Sequence, residues 1–140
     1  MITVRQIDDS ELFQLIKLNH EYYQCLTVKQ NYYGSTSILI ELLRKPGAYA
    51  LGLFRDKELI GFTLGHSYTE TIFYFTSLYV VPKYRIYTKR LYEASENRLR
   101  GLYFGWAAVG TNKEGINIHK KMGAKVTGVS DEEIKFYKEL

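Results

Sequence analysis

The chain has 140 residues, of which 46% are hydrophobic and 24% are charged, and its formal net charge is +4. This length and balance predict a single domain over residues 1–140 and exclude a second core of ordinary size. The single cysteine, Cys25, excludes an intramolecular disulfide and a cysteine-rich zinc site, and the three histidines lack the spacing of a metal site. The charged amino terminus and the short apolar stretches predict neither a signal peptide nor a membrane span. We therefore expect a cytoplasmic protein that does not bind membranes.

The positive charge is concentrated in one segment. Between Lys83 and Arg100 there are six basic residues and two acidic residues, which account for the whole excess of +4. Such a segment on an otherwise neutral chain indicates either a site for an anionic group or a solvated helix face. Nucleic-acid binding is not expected, because the segment matches no known motif and one helix gives a small footprint.

Hydrophobic periodicity and turn residues define the elements of the first half of the chain. In chain order they predict a strand at Ile2–Val4, a helix capped by Asp8, Asp9 or Ser10 and ending near Tyr23, a helix from Ser35 or Thr36 to Leu43, a turn at Lys45–Gly47, a strand at Ala48–Phe54 and a strand at Leu59–Tyr68.

The second half continues with a strand at Thr71–Val81, a helix at Tyr87–Arg100, a strand at Tyr103–Val109, a helix at Asn112–Met122 and a final strand or hairpin at Ala124–Tyr137. Pro82 ends the central strand. The order β-α-α-β-β-β-α-β-α-β-β predicts an α/β fold with a mixed β-sheet flanked by helices.

Two segments carry a family resemblance. The run from Leu78 to Arg85 resembles the acyl-CoA-binding segment of the GNAT superfamily of N-acetyltransferases, in which a central strand enters an Arg/Gln-x-x-Gly-x-Gly/Ala loop. Asn112, followed by Ile116, His119, Lys121 and Gly123, resembles the superfamily's later Asn…Tyr-x-Lys-x-Gly-Phe helix. The element order agrees as well, so the resemblance extends over nearly the whole chain and implies a GNAT-like fold.

The resemblance implies that acetyl-CoA is the cofactor. The backbone of the central strand would bind the pantetheine arm, the loop would bind the pyrophosphate, and the later helix would contact the cofactor. The residues implied are Leu78, Tyr79, Val80, Arg85, Ile86, Tyr87, Thr88, Lys89, Arg90 and Asn112. An enzyme of this kind needs an open V-shaped cleft between Leu78–Val81 and Tyr103–Val109.

The loop departs from the family pattern at its two small positions, which are Thr88 and Arg90 here. A β-branched residue resists left-handed backbone angles, and an arginine side chain would cover the phosphate space. Either the loop has lost its cofactor, or Arg85, Lys89 and Arg90 replace the backbone donors with charge-assisted hydrogen bonds.

Candidates for proton transfer also follow from the resemblance. His119 occupies the position of the family's tyrosine acid, and imidazole can donate a proton near neutral pH; the alternative is a packing histidine. Glu70 and His66 are the nearest candidates for the base, since the central strand holds no acidic residue; either is alternatively a turn residue.

The chain is rich in aromatic residues, with 13 tyrosines and 7 phenylalanines. The resemblance implies that the first two helices form one wall of the acceptor pocket, with Tyr22, Tyr23, Tyr32 and Tyr33 as its lining. Alternatively, these tyrosines are anchors for a protein partner.

The main functional hypothesis is an acetyl-CoA-dependent N-acetyltransferase that acts on a primary amine of a small molecule or a protein. The alternative is a catalytically degenerate GNAT-like interaction module with a protein assembly partner. Short phage proteins associated with virion assembly resemble this chain in lacking the loop glycines, and a virion location would follow from that alternative.

Overall fold

The computed structural model describes residues 1–25, 36–67, 72–98, 103–109, 113–129 and 133–139. The strands in these ranges are β1 (Ile2–Gln6), β2 (Tyr49–Arg55), β3 (Glu58–Ser67), β4 (Ile72–Val80), β5 (Tyr103–Val109), β6 (Lys125–Val129) and β7 (Glu133–Glu139). The α-helices are α1 (Leu12–Cys25), α2 (Thr36–Leu43), α3 (Thr88–Arg98) and α4 (Lys113–Lys121). Short 3₁₀ helices at Asp9–Glu11 and Pro82–Tyr87 precede α1 and α3. The predicted order of strands and α-helices is confirmed.

No helix in the described ranges combines the length and the apolar character that crossing a bilayer requires.

The strands form one mixed sheet in the order β1-β2-β3-β4-β5-β7-β6. Neighbouring strands are antiparallel except for β4 and β5, which are parallel. A parallel pair requires a crossover connection, and the segment that contains α3 supplies it. The parallel pair lies in the middle of the sheet. The boundary between β4 and β5 has four strands on one side, β1 to β4, and three on the other, β5 to β7.

Side chains that alternate along the strands divide the core into two layers. On one face, Leu15 of α1 and Leu39 of α2 belong to a buried cluster with Phe62 of β3. On the opposite face, Leu91 of α3 and Ile116 of α4 belong to a second buried cluster. We call these surfaces the α1/α2 face and the α3/α4 face.

The start of the first helical segment confirms the predicted cap at Asp8. Its carboxylate accepts a hydrogen bond from the Ser10 N–H at 2.9 Å, and the Glu11 carboxylate accepts one from the Asp8 N–H at 3.1 Å. Arg5 of β1 donates to Glu11 at 2.8 Å and places its guanidinium 3.8 Å from the centre of the Phe54 ring. The hydrogen bond from Arg5 holds the pKa of Glu11 below its usual value. These contacts fix α1 against the edge of the sheet.

Candidate active site

Strands β4 and β5 are paired along only part of their length. The parallel ladder begins at Ile72 with Tyr103 and ends at Phe75 with Trp106. Beyond that point β4 continues to Val80, and no further pair joins it to the described residues of β5. An open cleft between the two strands, which the sequence analysis required of an acetyltransferase, needs this end of the pairing, and the cleft itself stays a prediction.

A β-bulge marks the place where the ladder ends. Gly65 of β3 is opposite Phe75 and Leu64 is opposite Ser77, so Thr76 is an extra residue of β4. A bulge bends its strand and increases the local twist. The bulge lies directly after Phe75, where the pairing of β4 with β5 ends.

The backbone of β4 points alternately to its two neighbours. The Val81 N–H donates to the Ile60 carbonyl of β3 at 2.9 Å. Because successive peptide groups of a strand point to opposite sides, Tyr79 is directed to β3 in the same way, whereas Leu78 and Val80 are directed to the cleft. The Val80 carbonyl accepts a hydrogen bond from Arg85 Nε at 3.3 Å. Of the three residues predicted to bind the pantetheine arm, Leu78 and Val80 thus direct their N–H groups to the side that the described residues of β5 do not pair with. The backbone of Tyr79 is bonded to β3 instead, so its predicted pairing with the arm does not fit the strand register.

The loop after β4 is helical rather than left-handed. Thr88 has φ −57° and ψ −43°, its N–H donates to the Arg85 carbonyl, and its hydroxyl donates to the same carbonyl at 2.8 Å. The Tyr84 N–H donates to the Val81 carbonyl at 2.8 Å. Thr88 therefore adopts right-handed helical angles, which a β-branched residue tolerates, and the expected incompatibility with a left-handed cradle stays a prediction. The hydrogen bonds within the loop engage some of the backbone donors that a phosphate would use.

The charged side chains of the loop have different surroundings. Arg85 is half-buried and turns back toward β4, whereas Lys89 and Arg90 are exposed in the first turn of α3. Lys89 lies 3.8 Å from Glu93 in a weak surface ion pair. Ile86 is 83% exposed, and Tyr87 packs against the core of the α3/α4 face. Two exposed cations therefore lie at the start of α3, where an anion is also favoured by the helix dipole.

The structure adds a contact to this loop that the sequence analysis missed. Arg55, at the end of β2, donates to the Tyr84 hydroxyl at 2.6 Å, and its guanidinium lies 5.9 Å from the centre of the Tyr84 ring. Lys83 lies 5.6 Å from the same ring. No local signal in the sequence connects Arg55 to Tyr84, which lies 29 positions later. The contact brings a further cation to the segment from Lys83 to Arg90, which we call the basic loop.

His119 of α4 is buried rather than exposed to a reactant. Its residue surface is 5% exposed, and its ring lies 5.7 Å from the Tyr92 ring of α3. Burial penalises the charged imidazolium and lowers the pKa of His119 to about 3. The side chain is therefore neutral at neutral pH. This finding favours the packing interpretation, and the role of proton donor stays a prediction.

The candidate acceptor wall lies on the other face of the sheet. Tyr22 of α1 lies 6.2 Å from the Phe62 ring and 5.8 Å from the Tyr79 ring of β4, measured between ring centres. Burial raises the pKa of Tyr22 to about 12, so its hydroxyl is neutral in the physiological range. Tyr23 is half-buried on the same helix. Tyr32 and Tyr33 lie outside the described residues.

Of the two candidate bases, only His66 is in a described range. It is half-buried near the end of β3, where its Nδ1 lies 3.0 Å from the Ser67 carbonyl oxygen. His66 is opposite Tyr74 of β4, before the bulge, and the alternation of β3 places it on the α1/α2 face with Phe62. Glu70 and Asn112 lie outside the described residues. The role of each as a catalytic or cofactor-binding residue stays a prediction.

Solved structures of N-acetyltransferases share this architecture. The chain is similar to the PaiA N-acetyltransferase of Thermoplasma acidophilum in complex with coenzyme A, with a TM-score of 0.83 and 21% identity over 100% of this chain and 99% of that one. It is similar to Arabidopsis thaliana NAA60 in complex with a bisubstrate analogue, with a TM-score of 0.76 and 15% identity over 99% and 97%. It is also similar to the ribosomal-protein-S18-alanine N-acetyltransferase of Escherichia coli, with a TM-score of 0.78 and 13% identity over 98% of this chain and 92% of that one.

Neither a protein-family profile nor a curated protein sequence matches the chain. At these identities the structural likeness concerns the fold, and it extends over the full length of the chain and nearly the full length of each neighbour. One similar structure is described as a putative acetyltransferase of the GNAT family. The chain therefore has the GNAT-like α/β fold that is found in N-acetyltransferases.

Proposed function

We propose that the protein is an acetyl-CoA-dependent N-acetyltransferase that acts on a primary amine. The observation that carries the proposal is the end of the β4–β5 pairing after Phe75, beyond which the N–H groups of Leu78 and Val80 point away from β3 and pair with no described residue of β5. An extended pantetheine arm carries amide groups that can form hydrogen bonds with such an edge, as an added strand would. The likeness to structures that contain coenzyme A supports the same cofactor.

The basic loop would bind the phosphates by charge rather than by a glycine cradle. Lys89 and Arg90 are exposed at the start of α3, and Arg55 and Lys83 contact Tyr84 in the segment before that helix. Charge-assisted hydrogen bonds from such side chains are each worth roughly 1.5–3 kcal/mol when they are well aligned. The positive end of α3 would add to the attraction.

The chemistry divides between the two faces of the sheet. When bound, acetyl-CoA would supply a thioester whose carbonyl carbon bonds to the amine nitrogen while its C–S bond breaks, so that coenzyme A would leave as a thiolate and take up the proton that the amide nitrogen loses. The α1/α2 face, with Tyr22 and Tyr79, would hold the amine of a small molecule or a protein. His66 or Glu70 would accept the ammonium proton of the amine. The burial of His119 and its pKa of about 3 support a packing role for this residue over that of proton donor.

Coenzyme A should raise the melting temperature in a salt-sensitive way. A ligand at about 100 times its Kd stabilises the folded state by about 2.7 kcal/mol, which corresponds to about 5–10 °C for a domain of this size. Salt should reduce the shift, because exposed side chains would make the phosphate contacts. Thermal unfolding with and without millimolar coenzyme A, at low and high salt, measures this shift in melting temperature.

A double variant, Lys89→Gln with Arg90→Gln, should lose most of the shift. Arg44→Gln is the matched control, because Arg44 is an exposed cation that lies just after α2 and outside the basic loop. If the parent protein shows no shift at low salt, the acetyltransferase proposal fails and the interaction-module alternative is favoured. An equal shift in the parent and the double variant would show that the side chains of Lys89 and Arg90 do not contribute to the binding of coenzyme A.

A further inference from the structure

The molecule consists of two halves that meet at the cleft. Of the described residues, those up to residue 98 contribute β1 to β4 and the α-helices α1 to α3, and those from residue 103 onward contribute β5 to β7 and α4. In the sheet the halves are joined by the short ladder between β4 and β5, which ends at Phe75 and Trp106. The width of the cleft beyond this ladder therefore depends on contacts between side chains of the two halves.

Lys138 of β7 makes such a contact from the second half. Its Nζ lies 2.8 Å from a carboxylate oxygen of Glu96 on α3, in the first half. The same ammonium donates to the Met122 carbonyl at the end of α4 and lies 5.9 Å from the centre of the Tyr92 ring. One side chain thus connects α3, α4 and β7.

The ion pair between Lys138 and Glu96 is largely shielded from water. The side chains of Lys138 and Glu96 are 20% and 17% exposed, whereas those of the other α3 pair, Lys89 and Glu93, are 64% and 52% exposed. Salt therefore screens the shielded pair less, and its geometry is more restricted. Apolar side chains of similar size often stabilise a fold as well as a buried ion pair does, so stability alone does not account for this one.

A second contact between the halves lies one helical turn away. Tyr92 precedes Glu96 by four residues, so both side chains project from the same side of α3. Tyr92 is fully buried and contacts the ring of His119 on α4. The polar and aromatic contacts together form a continuous bridge between α3 and the second half, made by Tyr92, Glu96, His119 and Lys138.

We infer that Lys138 is a positioning residue that sets the width of the cofactor cleft by holding α3 against α4 and β7. The inference rests on the proposed function, since it assigns a role to a residue outside the binding surface. Lys138 would act through its contacts with Glu96 and Met122 and would not touch the cofactor. Loss of its ammonium should let the halves separate at the ladder and weaken the binding of coenzyme A.

Hydrogen exchange and calorimetry test this role in the full-length protein. Lys138→Met should increase exchange at the amides of the β4–β5 ladder at least tenfold, leave the β2–β3 amides unchanged, and raise the Kd for coenzyme A at least tenfold. Lys138→Arg should restore much of both properties, because it retains the charge. Lys120→Met is the matched control, since Lys120 is an exposed lysine on α4, and it should change neither property.

The outcomes separate the inference from the proposed function. If the parent binds no coenzyme A, the proposed function fails, and the exchange data alone decide whether Lys138 holds the halves together. Uniformly faster exchange in all strands, or unchanged exchange at the ladder, would overturn the inference. If Lys138→Met does not fold, Glu96→Gln removes the same ion pair by a milder change and should give the same local exchange pattern.

Discussion

Lowering the pH from 7 to 5 should destabilise the protein by about 2 kcal/mol through His119 alone. The pKa of His119 is about 3 in the folded protein, against about 6.5 in an unfolded chain. Below pH 6.5 the unfolded state therefore binds a proton that the folded state excludes. Stability falls by about 1.4 kcal/mol for each pH unit from about 6.5 down to about 3.

Urea denaturation at pH 7 and pH 5 measures this effect. His119→Gln should be less stable than the parent at pH 7, because it loses the contact with Tyr92, but it should lack this part of the pH dependence. His20→Gln is the control, since His20 is an exposed histidine on α1, and it should preserve the parent's pH dependence. Equal pH dependence in the parent and in His119→Gln would contradict the buried, neutral state of His119.

Gly65→Val should destabilise the protein strongly, by about 3 kcal/mol. A Cβ atom at Gly65 would lie 2.5 Å from Cε1 and 2.6 Å from the hydroxyl oxygen of Tyr49. Tyr49 is 1% exposed and lies in the core of the α3/α4 face, so its ring cannot move aside. Gly65 is also next to the bulge in β4, so the strain would reach the cleft.

The matched control for Gly65 is Gly123, which follows α4. Gly123 has φ +89°, and the nearest atom to an added Cβ is Lys138 Nζ at 3.9 Å. Gly123→Ala should therefore cost about 1–2 kcal/mol through its backbone angles and nothing through overlap. Chemical denaturation compares the two variants. A smaller loss for Gly65→Val than for Gly123→Ala would show that the Tyr49 ring does not pack closely against β3.

Local patterns in the sequence predict most of the fold. Asp8 is a capping residue before an amphipathic run, and Pro82 ends the central strand, so the element order could be read without tertiary information. The resemblance to the GNAT segment assigned the backbone of Leu78, Tyr79 and Val80 to the cofactor, and the structure directs that of Leu78 and Val80 away from β3. The strand register that directs these two residues to the cleft depends on the bulge at Thr76, which leaves no local signal in the sequence.

The parts of the site that sequence reasoning missed depend on long-range contacts. Arg55 reaches Tyr84 across 29 positions, and Lys138 reaches Glu96 from the other half of the molecule. Nothing in the sequence around Arg55 or Lys138 distinguishes it from the other arginines and lysines of the chain. The burial of His119 could not be inferred from the sequence either, because it results from packing against Tyr92 of α3 rather than from neighbours in the chain. This burial is what lowers the pKa of His119.

The most direct test of the proposed function is an amide NMR titration of the uniformly labelled protein with coenzyme A. The account predicts that the amide signals of Leu78 and Val80 shift strongly, because their N–H groups face the cleft, together with signals from Lys83 to Arg90. The amide of Val81 should shift less, because it remains bonded to the Ile60 carbonyl. No change at Leu78 and Val80 at saturating coenzyme A, or changes confined to the basic loop, would contradict a cofactor bound along β4.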